Sequence, residues 1–536
     1  MKPETDKNGI IIYDTTLRDG AQTFGISFSL HDKIRIAREI DRLKIDYIEG
    51  GWPGSNPKDD IFFSEIRKTD ISHARIAAFG STRRPRTKVK DDQFLQALAG
   101  SGADTITIVA KTWDFHVTGA LGITLQENFE LITDTVAYLK ELGFEVFLDA
   151  EHFFDGHRAN PDFAFSALHR AEAAGADMLV LCDTNGGTLP HEIETVTRAV
   201  VASVRTPVGV HFHNDAGLAV ANSIAAVMAG AQSVQGTING YGERCGNCDL
   251  TSFIPNLVIK MGLPCAAGSA LAHLTEVSRY VSEIANLAHN ERAPYVGDNA
   301  FAHKGGIHVS ALKKDTTTYE HLDPSLVGNR RKVLVSELAG RSNIEFKAKE
   351  LGIELKEGLT LPAKILKQIK TLEDQGFQFE AAEGSFELII RKATGEYLPF
   401  FNLKGFRVIT EKNEKNALSC EATIRVEVGG TVEHTAANGD GPVEALDNAL
   451  RKALEKFYPE IAEIQLTDYK VRVLDEKAGT GAPVRVLIDQ KRRASHWGTV
   501  GVSENIIEAS WQALVDGIEY MLYKKKLSGE RKAVDG

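Results

Sequence analysis

The stretch Val210-His211-Phe212-His213-Asn214-Asp215 decides how this chain is interpreted. It places two imidazoles two residues apart in an apolar run that is typical of a β-strand. Because alternate side chains of a strand share a face, His211 and His213 can bind one metal ion while Phe212 packs on the other side. Taken alone, such a pair is more often a hydrogen-bonded core feature than a ligand pair.

A second polar cluster, Asp14-Thr15-Thr16-Leu17-Arg18-Asp19-Gly20, ends the first strand-like run of the chain. If both runs belong to one parallel barrel, the carboxyl ends of their strands meet at the same rim. Asp19 then joins His211 and His213 as a third candidate ligand.

The first half of the chain alternates short apolar runs with helical patterns, which is the signature of repeated βα units. Eight runs indicate a closed (β/α)₈ TIM barrel rather than an open sheet. The predicted strands are residues 10–13, 47–50, 75–79, 105–109, 145–148, 178–182, 208–213 and 233–237.

Further polar residues follow the predicted strands at the end where barrel enzymes build their active sites. Glu151 comes after the fifth strand, Thr184 after the sixth, and the run Gly240-Tyr241-Gly242-Glu243-Arg244-Cys245-Gly246-Asn247 after the eighth. Their shared position at one rim predicts an enzyme.

The length of 536 residues exceeds what one core supports, so two or three domains are expected. We predict a (β/α)₈ barrel over residues 1–265, mostly helical linker subdomains over 266–395 and a small α+β domain over 396–536. The last part looks like a duplication of two ββα units, which places helix amino termini near Gly441 and Ser503. Such termini bind carboxylates.

Composition excludes several classes of protein. A net charge of −11 argues against a nucleic-acid surface, and no apolar run has the length of a membrane span. The polar start lacks a signal core, and five scattered cysteines do not form a disulfide framework, so we expect a cytoplasmic protein without membrane partners.

One local exception to the acidic charge is the segment 83–90, where five cations occur in eight residues. It is either a solvated loop or a site for a phosphorylated cofactor tail such as that of coenzyme A. The sequence leaves both interpretations open.

One carboxylate and two imidazoles form a facial set of three ligands that leaves coordination positions open for substrate. With Arg18 adjacent, such a site suits a 2-oxo acid. A divalent ion polarises the keto group, and the guanidinium stabilises the negative charge that develops on the keto oxygen.

These motifs resemble the signatures of the 2-isopropylmalate and homocitrate synthase family, and within it most closely those of citramalate synthases. The resemblance rests on Asp14 to Gly20, on the His211 to Asp215 run and on Gly242 to Asn247, with support from segments 50–57, 111–115, 151–156, 181–187 and 303–308. It implies a Claisen-type acyltransferase that condenses acetyl-CoA with pyruvate and hydrolyses the thioester to (R)-citramalate and CoA. This reaction begins a threonine-independent route to isoleucine.

The resemblance also implies roles for individual residues, with a divalent ion (Mn, Mg or Zn) as the cofactor. Asp19, His211 and His213 would hold the metal with Asn247 as a weaker fourth ligand, Arg18 and Asp19 would contact the oxo acid, Thr184 would bind its carboxylate, Glu151 would handle protons, and His308 and Tyr319 would be catalytic. Ser310 departs from the family pattern, which often has an acid two residues after the histidine.

The resemblance further implies a homodimer with a shared active site and a carboxyl-terminal domain that binds isoleucine, or else leucine, as an allosteric effector. Three alternatives remain: 2-isopropylmalate synthase, a metal-dependent acyl-CoA lyase and a non-catalytic sensor. Glu151 could instead pair with a cation such as Arg158, and Tyr319 could be an ordinary interface residue.

Overall fold

The computed structural model describes residues 9–312, 314–333, 348–349, 360–379, 382–395, 397, 399–412, 414, 417–474, 476–493 and 495–534. Eight parallel strands pair in sequence order, and the last closes on the first. The predicted (β/α)₈ barrel is therefore confirmed. Its strands are β1 (Ile11–Asp14), β2 (Tyr47–Gly51), β3 (Arg75–Ser81), β4 (Thr105–Lys111), β5 (Glu145–Glu151), β6 (Met178–Asp183), β7 (Val208–Phe212) and β8 (Ser233–Gly236).

Strand β7 is one residue shorter than predicted. His213 lies just beyond its end and forms an isolated antiparallel bridge with Asn247. The bridge ties the strand end to the loop after β8, so the two segments that carry candidate ligands are joined through their backbones.

The barrel helices bury apolar faces in the core of the first unit. In α1, the Ser29 hydroxyl accepts from the Asp32 amide while the Asp32 side chain accepts from the Ser29 amide, and Ile36, Ala37 and Ile40 are fully buried. The helices are α1 (Leu30–Arg42), α2 (Pro57–Ile66), α3 (Gln93–Ser101), α4 (Leu125–Glu141), α5 (Phe153–Ala159), α6 (Pro161–Ala173), α7 (Pro190–Ser203), α8 (Ala219–Met228), α9 (Leu250–Pro255) and α10 (Leu274–Ile284).

The barrel interior is filled by side chains rather than left as a pore. Tyr13, Tyr47 and Phe147 form an aromatic group with ring centroids 5.2 to 6.1 Å apart. The Tyr13 hydroxyl reaches Glu49 and Thr107. A packed interior of this kind confines the polar site to the rim.

The chain forms two compact units. The first runs to Phe301 and also includes Leu322–Arg331, while the second comprises Ala302–His321 and the chain from Lys332 onward. The predicted division at residues 265 and 395 stays a prediction. The second unit contains β9 (Ala302–His303), α11 (Gly306–Leu312), β10 (Lys332–Val333), α12 (Thr360–Asp374) and α13 (Glu383–Thr394).

The carboxyl-terminal part of the second unit holds two three-stranded antiparallel sheets, each followed by a helix. The predicted duplication is present, but each repeat has three strands rather than the two that were predicted. The additional strand of each repeat was not predicted, because it is largely exposed and lacks the apolar alternation that marks a half-buried strand. The elements are β11 (Asn402–Lys412), β12 (Leu418–Val428), β13 (Thr431–Gly439), α14 (Pro442–Leu454), β14 (Gln465–Val473), β15 (Val484–Arg492), β16 (Ser495–Ser503) and α15 (Ile506–Val534).

The two repeats share one apolar core, in which Ala449 and Leu450 of α14 pack in the same cluster as Trp497 and Ile518. Among the helices that the structure describes, none is both long enough and apolar enough to cross a membrane.

Candidate active site

Asp19, His211 and His213 come together at the rim of the barrel. Asp19 Oδ2 lies 3.3 Å from His211 Nε2 and 4.0 Å from His213 Nε2, and the two Nε2 atoms are 3.4 Å apart. All three side chains are buried, and they form the one group of carboxylate, imidazole and thiol ligands with metal-binding spacing in the described part of the chain. A metal ion fits this arrangement, because every member offers a lone pair towards the same point.

A hydrogen-bond chain behind His211 fixes its orientation. His211 Nδ1 lies 2.8 Å from Gln235 Oε1, and Gln235 Nε2 donates to Asp149 Oδ1 at 3.0 Å. Since the Gln235 amide donates to a carboxylate, its oxygen accepts from Nδ1–H. With Nδ1 occupied by this bond, His211 Nε2 is the nitrogen that faces Asp19 and can bind a metal ion.

The protonation of this cluster also favours a cation. Burial opposes a charged Asp19, but Arg18 and the bond from His211 outweigh it, so the pKa of Asp19 lies well below its usual range. Burial and the neighbouring His211 lower the pKa of His213 to about 3. At neutral pH, the site therefore presents a carboxylate and a neutral imidazole.

Asn247 lies beside His213 through the backbone bridge between them. Both atoms of its side-chain amide are buried and have no hydrogen-bond partner among the described residues, and the same is true of Asp19 Oδ1. Buried polar atoms in proteins are normally satisfied. Two of the four predicted metal ligands, Asp19 and Asn247, thus each have a buried oxygen atom without a hydrogen-bond partner. This arrangement is expected of a site that binds a cation.

Arg18 is held over the same rim by two contacts. Its Nε donates to Glu49 Oε2 at 2.5 Å, and its guanidinium lies 3.9 Å from the centroid of the Phe79 ring. Arg18 Nη1 is 3.5 Å from Asp19 Oδ2. The buried Glu49 thus orients the cation beside the candidate metal ligands, although sequence reasoning did not select it.

A cavity of about 470 Å³ lies at the rim of the barrel, and most of the predicted site residues of the barrel line it: Arg18, Asp19, Glu151, Thr184 and His213. The Thr184 hydroxyl accepts from the His152 amide at 2.9 Å. Its own proton is therefore available to donate to a carboxylate in the cavity.

Glu151 pairs with Lys111, which also lines the cavity. Glu151 thus does pair with a cation, as the alternative interpretation held, but not with Arg158, which contacts Asp155 and Glu192 instead. Sequence reasoning missed Lys111. Lys111 lies two residues after the predicted fourth strand, at the end where the other site residues follow their strands. This position could have identified it from the sequence.

His308 and Tyr319 lie in the second unit, where their rings stack with centroids 4.0 Å apart. Tyr319 is 43% exposed, and His308 is also exposed. Two predicted catalytic residues are thus in contact with each other and open to solvent.

Three family models cover the chain in succession: HMGL-like over residues 9–281, homocitrate synthase post-HMGL domain-like over 295–377 and LeuA allosteric (dimerisation) domain over 380–522. The (R)-citramalate synthase of Geobacter sulfurreducens is 55% identical over 97% of this chain and 99% of its own length. The chain belongs to the HMGL-like family, in its (R)-citramalate synthase branch.

Other known proteins are also similar to the chain. The (R)-citramalate synthase of Aquifex aeolicus is 52% identical over 97% of this chain and 99% of its own. The 2-isopropylmalate synthase of Methanocaldococcus jannaschii is 32% identical over 96% and 95%. A solved HMG-CoA lyase from Acenitobacter baumannii, in complex with coenzyme A and 3-methylmalate, has a TM-score of 0.44 and 19% identity over 52% of this chain and 92% of its own.

The predicted family is therefore confirmed. Its synthases are acetyl-CoA-dependent transferases, and enzymes of the HMGL-like family use a divalent metal. The match from 380 to 522 identifies the carboxyl-terminal part as an allosteric (dimerisation) domain, as the family resemblance implied.

Proposed function

We propose that this chain condenses acetyl-CoA with pyruvate and hydrolyses the thioester to give (R)-citramalate and CoA. The observation that carries the proposal is that three candidate metal ligands, a fixed arginine, a threonine hydroxyl and a carboxylate meet at one barrel rim. The relatives named (R)-citramalate synthase support this substrate pair over 2-oxoisovalerate, because they are more similar than the 2-isopropylmalate synthase.

In this proposal, Asp19, His211 and His213 hold a divalent ion, with Asn247 as a fourth and weaker ligand. Mn, Mg and Zn all accept a set of oxygen and imidazole ligands. When bound, such an ion supplies Lewis-acid polarisation of the keto group.

The side chains around the cavity supply the rest. The Arg18 guanidinium stabilises the negative charge on the keto oxygen, and Glu49 keeps it in place. The Thr184 hydroxyl donates to the carboxylate of pyruvate. Glu151, paired with Lys111, accepts and returns protons in the cavity.

The overall reaction requires four changes. The methyl group of acetyl-CoA loses a proton, a carbon–carbon bond forms to the keto carbon, and the keto oxygen gains a proton. Water then cleaves the thioester into a carboxylate and the CoA thiol. From the family resemblance, we propose that His308 and Tyr319 take part in the proton transfers and that they reach the barrel site from the partner of a homodimer.

We also propose that isoleucine, or else leucine, binds the carboxyl-terminal domain and lowers activity. The match to an allosteric domain supports a regulatory ligand. Feedback by the end product of a route that begins with citramalate is the simplest form of this regulation.

A panel of 2-oxo acids tests the reaction. CoA release from acetyl-CoA is expected with pyruvate at a higher kcat/KM than with 2-oxoisovalerate, and citramalate should accumulate. Thr184→Val is expected to raise the KM for pyruvate, whereas Thr195→Val, on the surface of α7, should not change it. A preference for the branched acid would contradict the proposal, as would cleavage of citramalyl-CoA without synthesis.

A further inference from the structure

The loop between β3 and α3 carries the five cations of segment 83–90, and the structure separates them into two groups. Arg83 pairs with Asp134 at 2.8 Å and also donates to the Thr87 carbonyl at 3.1 Å. Arg84 contacts Asp92 at 3.3 Å. These two arginines stabilise the shape of the loop.

The other three cations, Arg86, Lys88 and Lys90, have no carboxylate partner among the described residues. They are exposed, whereas Thr87 and Val89 between them are half-buried. All three line a second cavity, with a volume of about 780 Å³. They are free to bind an anion.

Arg86 adopts a left-handed backbone with a φ of 63°. A long side chain rarely takes this conformation, which is energetically unfavourable and tends to occur at functional sites. Arg86 lines the same cavity as Lys88 and Lys90.

Three acids also line this second cavity: Asp91, Asp134 and Glu141. Asp134 is already paired with Arg83, so three free cations face two carboxylates. The chain as a whole has a net charge of −11, but this cavity has an excess of positive charge. Such an excess favours the binding of a phosphate group.

The second cavity adjoins the one at the metal ligands, and Arg83 lines both. Other cations in the described loops at this rim are paired, Arg18 with Glu49 and Arg244 with Asp215. Arg158, on α5, is paired with Asp155 and Glu192. Among these described loops, a ligand that extends out of the barrel from Asp19 therefore meets unpaired cations only on the side of the second cavity.

We propose that Arg86, Lys88 and Lys90 bind the phosphates of the nucleotide tail of acetyl-CoA. This inference rests on the proposed function, which supplies a co-substrate with a reactive thioester at one end and three phosphates at the other. The geometry assigns the thioester end to the inner cavity and the phosphates to the outer one. The proposal adopts the second of the two interpretations that the sequence left open.

Calorimetric titration of the full-length protein with CoA tests the proposal independently of turnover. A triple variant, Arg86→Gln, Lys88→Gln and Lys90→Gln, is expected to bind CoA about tenfold more weakly, because three exposed ionic contacts are lost together. A matched control removes three exposed, unpaired cations elsewhere on the barrel: Arg38→Gln, Lys44→Gln and Arg205→Gln. It should bind CoA like the wild type, although its net charge is the same as that of the triple variant.

Equal affinity of the triple variant and the wild type would overturn the proposal, and so would equal weakening in the control. Titration with 3′-dephospho-CoA identifies the phosphate: if the 3′-phosphate is bound, its removal should weaken the wild type but not the triple variant. Turnover of acetyl-CoA with pyruvate is measured in parallel. Absence of turnover in the wild type would reject the proposed function, whereas the titrations would still decide whether this loop binds CoA.

Discussion

Lys111 Nζ and Glu151 Oε2 form an ion pair at the carboxyl ends of adjacent strands. Parallel pairing of β4 with β5 places the two residues opposite each other, and both line the cavity that contains Asp19 and Arg18. The pair therefore links the proposed proton-handling carboxylate to a fixed cation.

Replacing Lys111 with Met should lower kcat roughly a hundredfold, the lower end of what positioned proton-transfer groups contribute, because Glu151 loses the partner that orients it. Lys111→Arg should recover part of the activity. Lys140→Met is the matched control, since it breaks a partly exposed pair with Asp177 on the outer side of the barrel. An unchanged kcat and pH profile in Lys111→Met would show that this ion pair is only structural.

Loss of either imidazole should remove a bound divalent ion. His211→Ala and His213→Ala are expected to lose both the metal, measured by elemental analysis after dialysis, and the activity, while circular dichroism stays native. His73→Ala, which breaks a surface contact to Asp46, should keep both. Full turnover of a His211→Ala protein after chelation would contradict the ligand assignment.

Mixing two inactive variants tests the proposed shared site. Arg18→Ala removes a barrel residue and His308→Ala a residue of the second unit, so mixed dimers contain one intact site if the subunits share them. After random exchange, about one quarter of wild-type activity should return.

The control for this experiment is a mixture of Arg18→Ala with His211→Ala. Both changes lie in the barrel, so mixed dimers contain no intact site and activity should stay absent. Failure of the first mixture, despite exchange demonstrated by mass spectrometry, would place His308 and Arg18 in the same subunit.

Isoleucine is expected to weaken pyruvate binding about 5- to 150-fold, and pyruvate should weaken isoleucine binding by the same factor.

Gly441 caps α14 with a φ of −141°, and a side chain there would meet open space. Gly441→Asp should abolish inhibition by repelling the effector carboxylate, while the isosteric Gly441→Asn should retain it. Equal inhibition of both variants would place the effector elsewhere.

Glu519 should make stability depend on pH. Burial raises its pKa to about 7, and the hydroxyl of Tyr397 donates to it. The folded protein therefore binds a proton that the unfolded chain releases near pH 4.5, so stability falls as the pH rises from 4.5 to 7.

Over this range, Glu519 accounts for a loss of at most about 3 kcal/mol in the free energy of unfolding. Glu519→Gln should remove that part of the dependence, measured by denaturant unfolding at several pH values. Glu508→Gln, near the start of the same helix, is the matched control. An unchanged slope in Glu519→Gln would show that this carboxyl does not titrate on folding.

The limits of sequence reasoning are clear at the barrel rim. The eight strand-like runs were sufficient to predict the barrel, and the positions of Arg18, Glu151, Thr184 and the two histidines after those runs predicted a polar site at its rim, because strand alternation and the βα repeat are local patterns. The exposed strands β11 and β14 were missed, since their apolar alternation is weak.

The sequence by itself determined the barrel, the family and the candidate metal ligands, because each depends on residue types at short spacings along the chain. Only the tertiary structure decided which side chains orient them. Glu49 reaches Arg18 across 31 residues, Lys111 reaches Glu151 across 40, and Gln235 reaches His211 across 24. These contacts depend on the pairing of strands that are distant in sequence, and no local periodicity encodes that register.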